Sequence, residues 1–416
     1  MVHASILAHI IASMINVVTV NGGRGASLII PELINKNFHV TSIVNAYDDG
    51  KSTGEIRKFF EMLGPSDIRK VQSLMIPESE FAEEYRKLFD FRIDENISNS
   101  DALDEIKSFT SNKTKTLFRL SLDDNYIRGE IQKYLIAFLE KLEVFEKFLG
   151  VKFSFQDCSI MNCIYAGAFV YYKRDFDKTC VSFEKLFQLS GSVIPSNTEN
   201  KFLVAIRENG DVLYSEAEIV ELRSNVRIKK IFLLDAPLES GSLDKLTDSE
   251  KFLFLESRSS FVQINDRAKT VLQNADIIIY SPGTQHSSLF PTYLTKGFAL
   301  AVYKNDLALK FFVTNIGEDY ETVEYKASDY INSAYSYLNF DNSSFPLNGL
   351  ITYNLVNQPH IKGEKTISNY VENDIDSKDY RNVKHIFKDF ESTSHPGKHD
   401  GQKLLNEIIN LYKSKD

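Results

Sequence analysis

Two stretches decide the fold: Val17-Val18-Thr19-Val20-Asn21-Gly22-Gly23-Arg24-Gly25, and Asn45-Ala46-Tyr47-Asp48-Asp49-Gly50-Lys51-Ser52-Thr53-Gly54, which follows the apolar run Phe38–Val44. In each, an apolar run ends in a Gly-rich polar loop that opens a helix. That is the ligand edge of a parallel α/β sheet. Helix N-termini leave about four backbone N–H groups unpaired. Those donors and the helix dipole favour an anion, and glycines let the backbone come close to it. The pattern therefore points to a phosphate-bearing ligand, a nucleotide first of all. The first loop is G-G-x-G, which matches neither the dinucleotide fingerprint nor a P-loop. Glycines that serve only a tight strand-to-helix turn are the alternative. The second loop argues against it, because a bare turn needs neither two adjacent Asp nor a run of hydroxyls.

The chain has 416 residues, enough for a large core or for two or three domains. Hydrophobic content of 43% and charged content of 25% are those of a soluble globular protein. The net charge of −9 argues against a general nucleic-acid binder and leaves room for local basic pockets. Three cysteines, with no C-x-x-C pair, argue against a disulfide framework or a zinc ribbon and fit a reducing, cytoplasmic setting. Met1–Val20 is mostly apolar, but it lacks an early Lys or Arg and a small-x-small cleavage site. It reads as a short helix followed by a core strand. No segment approaches ~18 uninterrupted apolar residues, so no membrane span is expected.

Residues 17–45 form a βαβ unit. Pro31 falls inside its connecting helix, where it should remove a hydrogen bond or bend the axis. Ser52-x-x-Glu55 reads as a capping box for a helix to Met62, and Ser66 can cap another, with Asp67 in its first turn. Residues 78–150 are rich in Glu, Lys, Phe and Leu. Ile127, Ile131, Tyr134, Leu135, Phe138, Leu142 and Phe145 recur at helical spacing, which marks a helical insertion covering the sheet or forming a lid. The plain reading of those aromatics is core packing. Residues 159–172 and 183–188 read as buried helices. Lys201–Ile206 and Val212–Leu222 read as a β-hairpin about Asn209-Gly210. Strands are expected at 230–234, 276–280, 298–302 and 350–356, and a helix at 266–273 stopped by Asn274. The tail, 372–416, is polar and then amphipathic, and reads as a C-terminal helical tail on a single domain spanning 1–416.

Three constellations carry chemistry. The glycine loop offers backbone donors at Asn21, Gly22, Gly23 and Gly25, with Arg24 either on a phosphate or in solvent. Asp48 and Asp49 either hold a hard divalent cation, since Mg²⁺ takes about one or two protein carboxylates beside ligand phosphates, or accept a proton from an attacking hydroxyl. A turn cap is the alternative for one of them. Ser281-Pro282-Gly283-Thr284-Gln285-His286-Ser287-Ser288 also follows a buried strand. Loops at the carboxyl ends of parallel strands share one crevice, so all three loops should converge. His286 is a candidate acid/base, with a hydrogen-bonded structural role as the alternative. Nucleophile, zincin and kinase motifs are missing.

These motifs, in this order, resemble the superfamily of 2-phospho-L-lactate transferase (CofD) and the bacterial gluconeogenesis factor (YvcK). The matching segments are Gly22-Gly23-Arg24-Gly25, Asp48–Gly54, Pro65-Ser66-Asp67-Ile68-Arg69, Ser159-Ile160-Met161-Asn162, Val193-Ile194-Pro195 and Ser281-Pro282-Gly283-Thr284, with Asn315 and Glu321-Thr322 as a late element. The resemblance covers residues 17–360 and implies a Rossmann-like three-layer α/β/α sandwich with a mostly parallel sheet. It implies a bound nucleoside diphosphate or nucleotide-sugar. Its transferase branch moves a phospholactyl group from a guanosine diphosphate-activated donor to a deazaflavin hydroxyl with Mg²⁺, and its gluconeogenesis-factor branch binds UDP-sugars. Carried onto this chain, it implies phosphate or nucleotide contacts from Asn21, Gly22, Gly23, Arg24, Gly25, Ser52, Thr53, Asp67, Arg69, Asn162, Pro282, Gly283, Thr284, Ser287 and Ser288. Asp48 and Asp49 become the catalytic and metal-binding candidates. The chain departs from the pattern at Ser281, Met161 and Arg24 and lacks the transferase's H-G-x-x-I-S-P-D continuation. Its Gly50–Arg69 stretch is closer to the gluconeogenesis-factor branch. A homo-oligomer is compatible with all of this.

Overall fold

Val17, Val18 and Val20 are β-branched and wholly buried, as a strand covered on both faces requires. They form β1 (Asn16–Val20) at the middle of a seven-stranded sheet. The computed structural model describes residues 15–23, 25–341, 343–358, 370–376 and 380–414. The other strands are β2 (His39–Val44), β3 (Gly191–Pro195), β4 (Ile277–Tyr280), β5 (Leu309–Val313), β6 (Tyr353–Asn357) and β7 (Lys384–Lys388). All pairs are parallel, in the order β7-β6-β5-β4-β1-β2-β3. Val18 sits between Thr41 of β2 and Ile278 of β4. Helices pack around this sheet in the expected α/β/α Rossmann-like arrangement. The strand order reverses between β1 and β4. In doubly wound sheets the ligand crevice opens at that point, beyond the carboxyl ends of the strands.

Several local expectations needed correction. Pro31 lies in the first turn of the helix Ile30–Asn35, where its missing N–H has no intrahelical acceptor to lose, so it starts the helix rather than bending it. Ser52 does not cap the helix Lys51–Phe60. The N-cap is Gly50, and Ser52 Oγ turns inward to the backbone N–H of Ser159 and to Asn162. Ser66 likewise is not a cap; its hydroxyl meets Thr53 and Asn162. Residues 298–304 are a helix, not a strand, entered through Gly297 at φ 93°. Val212–Leu222 is a strand only at 212–213 and then becomes the helix Glu216–Glu221. The short N-terminal helix expected before β1 lies outside the described residues.

Between β2 and β3, residues 78–150 carry the helices Ala82–Asp90, Asn99–Thr110 and Asn125–Leu149, with a small hairpin pairing Leu117 with Leu120. The long helix lies against Ile160–Tyr171, and its periodic apolar positions from Ile127 to Leu142 are core. The two backbones approach so closely that a Cβ at Gly167 would overlap the Tyr134 carbonyl. A separate antiparallel sheet joins Phe202–Arg207 to Val212–Leu213 and Ile228–Leu234, over its own core of Val204, Ile206, Phe232 and Leu255. Among the described residues no helix is long and apolar enough to cross a membrane.

Candidate functional site

The loops after β1, β2 and β4 meet in one cleft of about 160 Å³ at the reversal point. Gly22, Gly23 and Gly25 form one wall, Asp48 and Gly50 a second, and Gly283, Thr284, Ser287 and Ser288 a third. The glycines are there for space. A Cβ on Gly22 would lie 2.5 Å from Ser288 Oγ, one on Gly23 2.6 Å from Asp67 Oδ1, and one on Gly25 would overlap the Pro282 carbonyl. Gly283, at φ 143°, lies in the region that favours glycine.

Asp48 faces the cleft. Thr53 Oγ1 donates to its Oδ2 at 2.8 Å, and the Gly50 N–H to its Oδ1 at 3.4 Å. Asp49 turns the other way. Its carboxylate accepts the Ala217 N–H at 2.7 Å and the Glu216 N–H at 3.3 Å, while Glu216 Oε2 accepts the Asp49 N–H at 3.3 Å. Asp49 thus fastens the short helix Glu216–Glu221, whose Glu216, Ala217, Val220 and Glu221 close the cleft. Adjacent carboxyls have opposite placements: Asp48 accepts the N–H of the turn that follows it, as the turn-cap alternative has it, while Asp49 caps a distant helix. Beneath them the buried Arg57 donates to the Tyr47 carbonyl at 2.8 Å and to Asn200 Oδ1 at 3.0 Å. It is the cation closest in effect to Asp49.

The cleft is acidic. Asp48, Asp67, Glu216 and Glu221 line it with Lys70, which is held 3.0 Å from Asp67. Burial, then Asp48, Asp49 and Asp67, pushes the Glu216 carboxyl well above the usual carboxylate range. Among the described residues no three His, Cys, Asp or Glu converge as a preformed metal cage. Asp48 and Asp67 alone match the one or two carboxylates Mg²⁺ typically takes beside ligand phosphates.

Of the residues expected at the site, Gly22, Gly23, Gly25, Asp48, Asp67, Gly283, Thr284, Ser287 and Ser288 line the cleft. Others sit behind it. Asn21 accepts the Ser42 hydroxyl at 2.8 Å. Ser52, Thr53 and Asn162 form a buried polar knot that ties the helix Lys51–Phe60 to Ile160–Tyr171. The buried Arg69 guanidinium reaches the Phe89 carbonyl and Asp90, so it points into the 78–150 segment. Pro282 supplies the carbonyl that excludes a side chain at Gly25. Arg24 lies outside the described residues. His286 is wholly buried, packed on Phe290, Tyr325 and Tyr337, and desolvation pulls its pKa down to about 3. Its role is one of packing, with the ring Nδ1 left without a hydrogen-bond partner among the described residues. Sequence reasoning missed Lys70 and the Glu216–Glu221 wall. Lys70 was one residue past a quoted motif. The wall comes from a distant segment and carried no local signal.

Two residues of the late element support the third loop. Asn315 bonds both backbone polar groups of Gly283, and Glu321 accepts the Ser287 N–H and hydroxyl.

Sheet order defines a doubly wound α/β protein with a cleft at the switch point. The chain belongs to the family of 2-phospho-L-lactate transferase CofD, whose model matches residues 17–391. It is 23% identical over 322 residues to the gluconeogenesis factor of Halalkalibacterium halodurans, covering 76% of this chain and 72% of that protein. It is 22% identical over 404 residues to the gluconeogenesis factor of Listeria innocua, covering 96% of each. A crystal structure of a Bacillus halodurans protein superposes with a TM-score of 0.65 at 19% identity, covering 95% of this chain and all of that one, which establishes the shared fold.

Proposed function

We propose that the cleft binds the diphosphate of a nucleotide conjugate together with Mg²⁺, and that the chain is a phosphotransferase acting on that donor in the cytoplasm. The observation that carries this reading is the acidic cleft floored by glycines. Its volume is below the roughly 300–1,000 Å³ of a pocket for a whole drug-sized ligand, which suits a diphosphate with the nucleoside extending outward. Asp48 and Asp67 would repel a bare diphosphate and fit a divalent cation between carboxylate and phosphate oxygens. The cation supplies charge neutralisation. Phosphoryl transfer otherwise needs mainly positioning. An acceptor hydroxyl oxygen would bond to the distal phosphorus, the bridging P–O bond to the nucleoside monophosphate would break, and Asp48 would take the hydroxyl proton.

A second reading is a non-catalytic nucleotide-sugar-binding regulator. It is favoured by the engagement of Asp49 as a helix cap, which leaves one carboxylate of the pair for chemistry. Thermal unfolding with UDP-glucose, GDP and GTP, with and without Mg²⁺, tests the shared core. A ligand at ~100 times its dissociation constant adds about 2.7 kcal/mol. The absence of any shift would remove the nucleotide site. Release of nucleoside monophosphate from a bound donor would decide for the transferase.

A further inference from the structure

Ser287 lines the cleft, yet both its hydrogen-bond donors turn away from it. Its N–H donates to Glu321 Oε2 at 2.9 Å and its hydroxyl to Glu321 Oε1 at 2.6 Å. A serine hydroxyl has one proton and two acceptor lone pairs. With that proton on Glu321, Ser287 offers the cleft only lone pairs, which repel a phosphate oxygen. A proton on Glu321 Oε1 reverses the bond. The carboxyl then donates, the Ser287 O–H is free to turn into the cleft, and the Ser287 N–H stays on Oε2.

The surroundings of Glu321 favour the neutral form. Its side chain is buried, and among the described residues no Lys or Arg lies within ion-pair distance. The charged group facing it along its own loop is Asp319, of like sign, which accepts the Glu321 and Thr322 N–H groups. The His286 backbone N–H also faces the carboxyl and opposes this by favouring its charged form, while the His286 ring is held neutral by burial. Tyr330, bonded to Thr322, and Tyr325, under Arg227, have hydroxyls raised above the usual tyrosine value. Burial first, and Asp319 second, push the Glu321 carboxyl up to about 8.

We infer that Glu321 is a positioning residue that sets whether Ser287 donates or accepts in the cleft, so that a phosphate group is held with Glu321 protonated. This rests on the nucleotide reading above. Phosphate and proton then favour each other's binding, reciprocally.

Calorimetry with the full chain, Mg²⁺ and UDP-glucose from pH 7 to 9 tests it. The wild type should bind about tenfold more weakly at pH 9 than at pH 7, the change for one linked proton. In E321Q the amide carbonyl accepts the Ser287 N–H and the amide nitrogen donates to Ser287 Oγ. The conservative variant should therefore keep neutral-pH binding and lose the fall. S287A should bind more weakly at pH 7 and show no fall. A fall in E321Q equal to the wild type's, or wild-type binding by S287A, overturns the inference. If the wild type binds neither UDP-glucose nor GDP at any pH, the nucleotide reading fails. The proton assignment is then decided by urea unfolding. A carboxyl raised in the folded state stabilises at low pH and loses that contribution as pH climbs toward 8. Parallel wild-type and E321Q stability profiles from pH 5 to 8 would overturn it.

Discussion

Asn315 holds Gly283 by both of its backbone polar groups: the Gly283 N–H donates to Asn315 Oδ1 at 3.0 Å, and Asn315 Nδ2 donates to the Gly283 carbonyl at 3.0 Å. The side-chain amide takes the place of a neighbouring strand just where the sheet stops. Gly283 is thereby fixed at a backbone angle other residues rarely adopt. Asn315→Ala removes both bonds, and we expect a loss of about 1–3 kcal/mol in urea unfolding, together with weaker nucleotide binding. Unchanged stability would show that the loop holds itself.

Asp48 and Asp49 should separate by experiment as they do in space. Asp49→Ala unfastens the helix Glu216–Glu221 and should cost roughly 0.5–2 kcal/mol, the range for a lost helix cap. Asp48→Asn should leave stability nearly unchanged and weaken the Mg²⁺ dependence of binding. If the chain is a transferase, it should also abolish turnover while nucleotide still binds. The same loss from both variants in both measurements would contradict the divided roles.

Acid should destabilise the fold through two histidines. Burial pulls His286 down to about 3 and His399 down to about 4, and His399 Nε2 meets the Thr314 carbonyl at 3.0 Å. Their folded pKa values lie below the unfolded value near 6.5. Their contribution is complete above about pH 6.5 and is lost as pH falls toward 4. Each adds a slope of up to about 1.4 kcal/mol per pH unit in that window. His399→Gln keeps a donor for Thr314 and should flatten the limb between pH 6.5 and 4. An unaltered limb would assign the acid sensitivity elsewhere.

Gly25→Ala sets a methyl group against the Pro282 carbonyl, which belongs to backbone and cannot swing aside. Overpacking of this kind costs about 1–3 kcal/mol. Gly22→Ala meets Ser288 at both Oγ and Cβ, 2.5 and 2.6 Å away, so turning the hydroxyl clears only part of the clash and the rest must be taken up by a small shift of the Ser288 loop. We expect the first variant to lower the unfolding midpoint markedly and the second to fill the cleft and lower affinity with a smaller stability cost. Equal effects on stability would count against this difference.

Much of the sheet centre was legible because its signals are local. The valines of β1, the loop after β2 and the isoleucines of β4 each announce a buried strand with a polar end. The far edge was less so. Lys310 interrupts the apolar run of β5 and is nonetheless buried, its ammonium on the Gly349 carbonyl at 2.7 Å. β7 lies in a polar tail that reads as helix and loop. Phe298–Val302 has an apolar run as suited to a strand as to a buried helix, and length alone does not separate them. In the cleft, glycines and Asp48 were legible by residue type. The diversion of Asp49 to Ala217 was not, since it depends on a partner 168 positions away. Ser52 was misread for the same reason: its local capping option lost to a tertiary one.

Strand order also sets a timetable. Translation delivers the glycine loop long before the strand that closes its open side, β4, at residues 277–280. Until Val20 can lie beside Tyr280, β1 has a bare edge and the cleft lacks its third wall. A nascent chain stalled before that point would expose apolar surface in search of a partner and could not be rescued by ligand. Chaperone dependence should therefore persist until β4 has emerged and paired with β1.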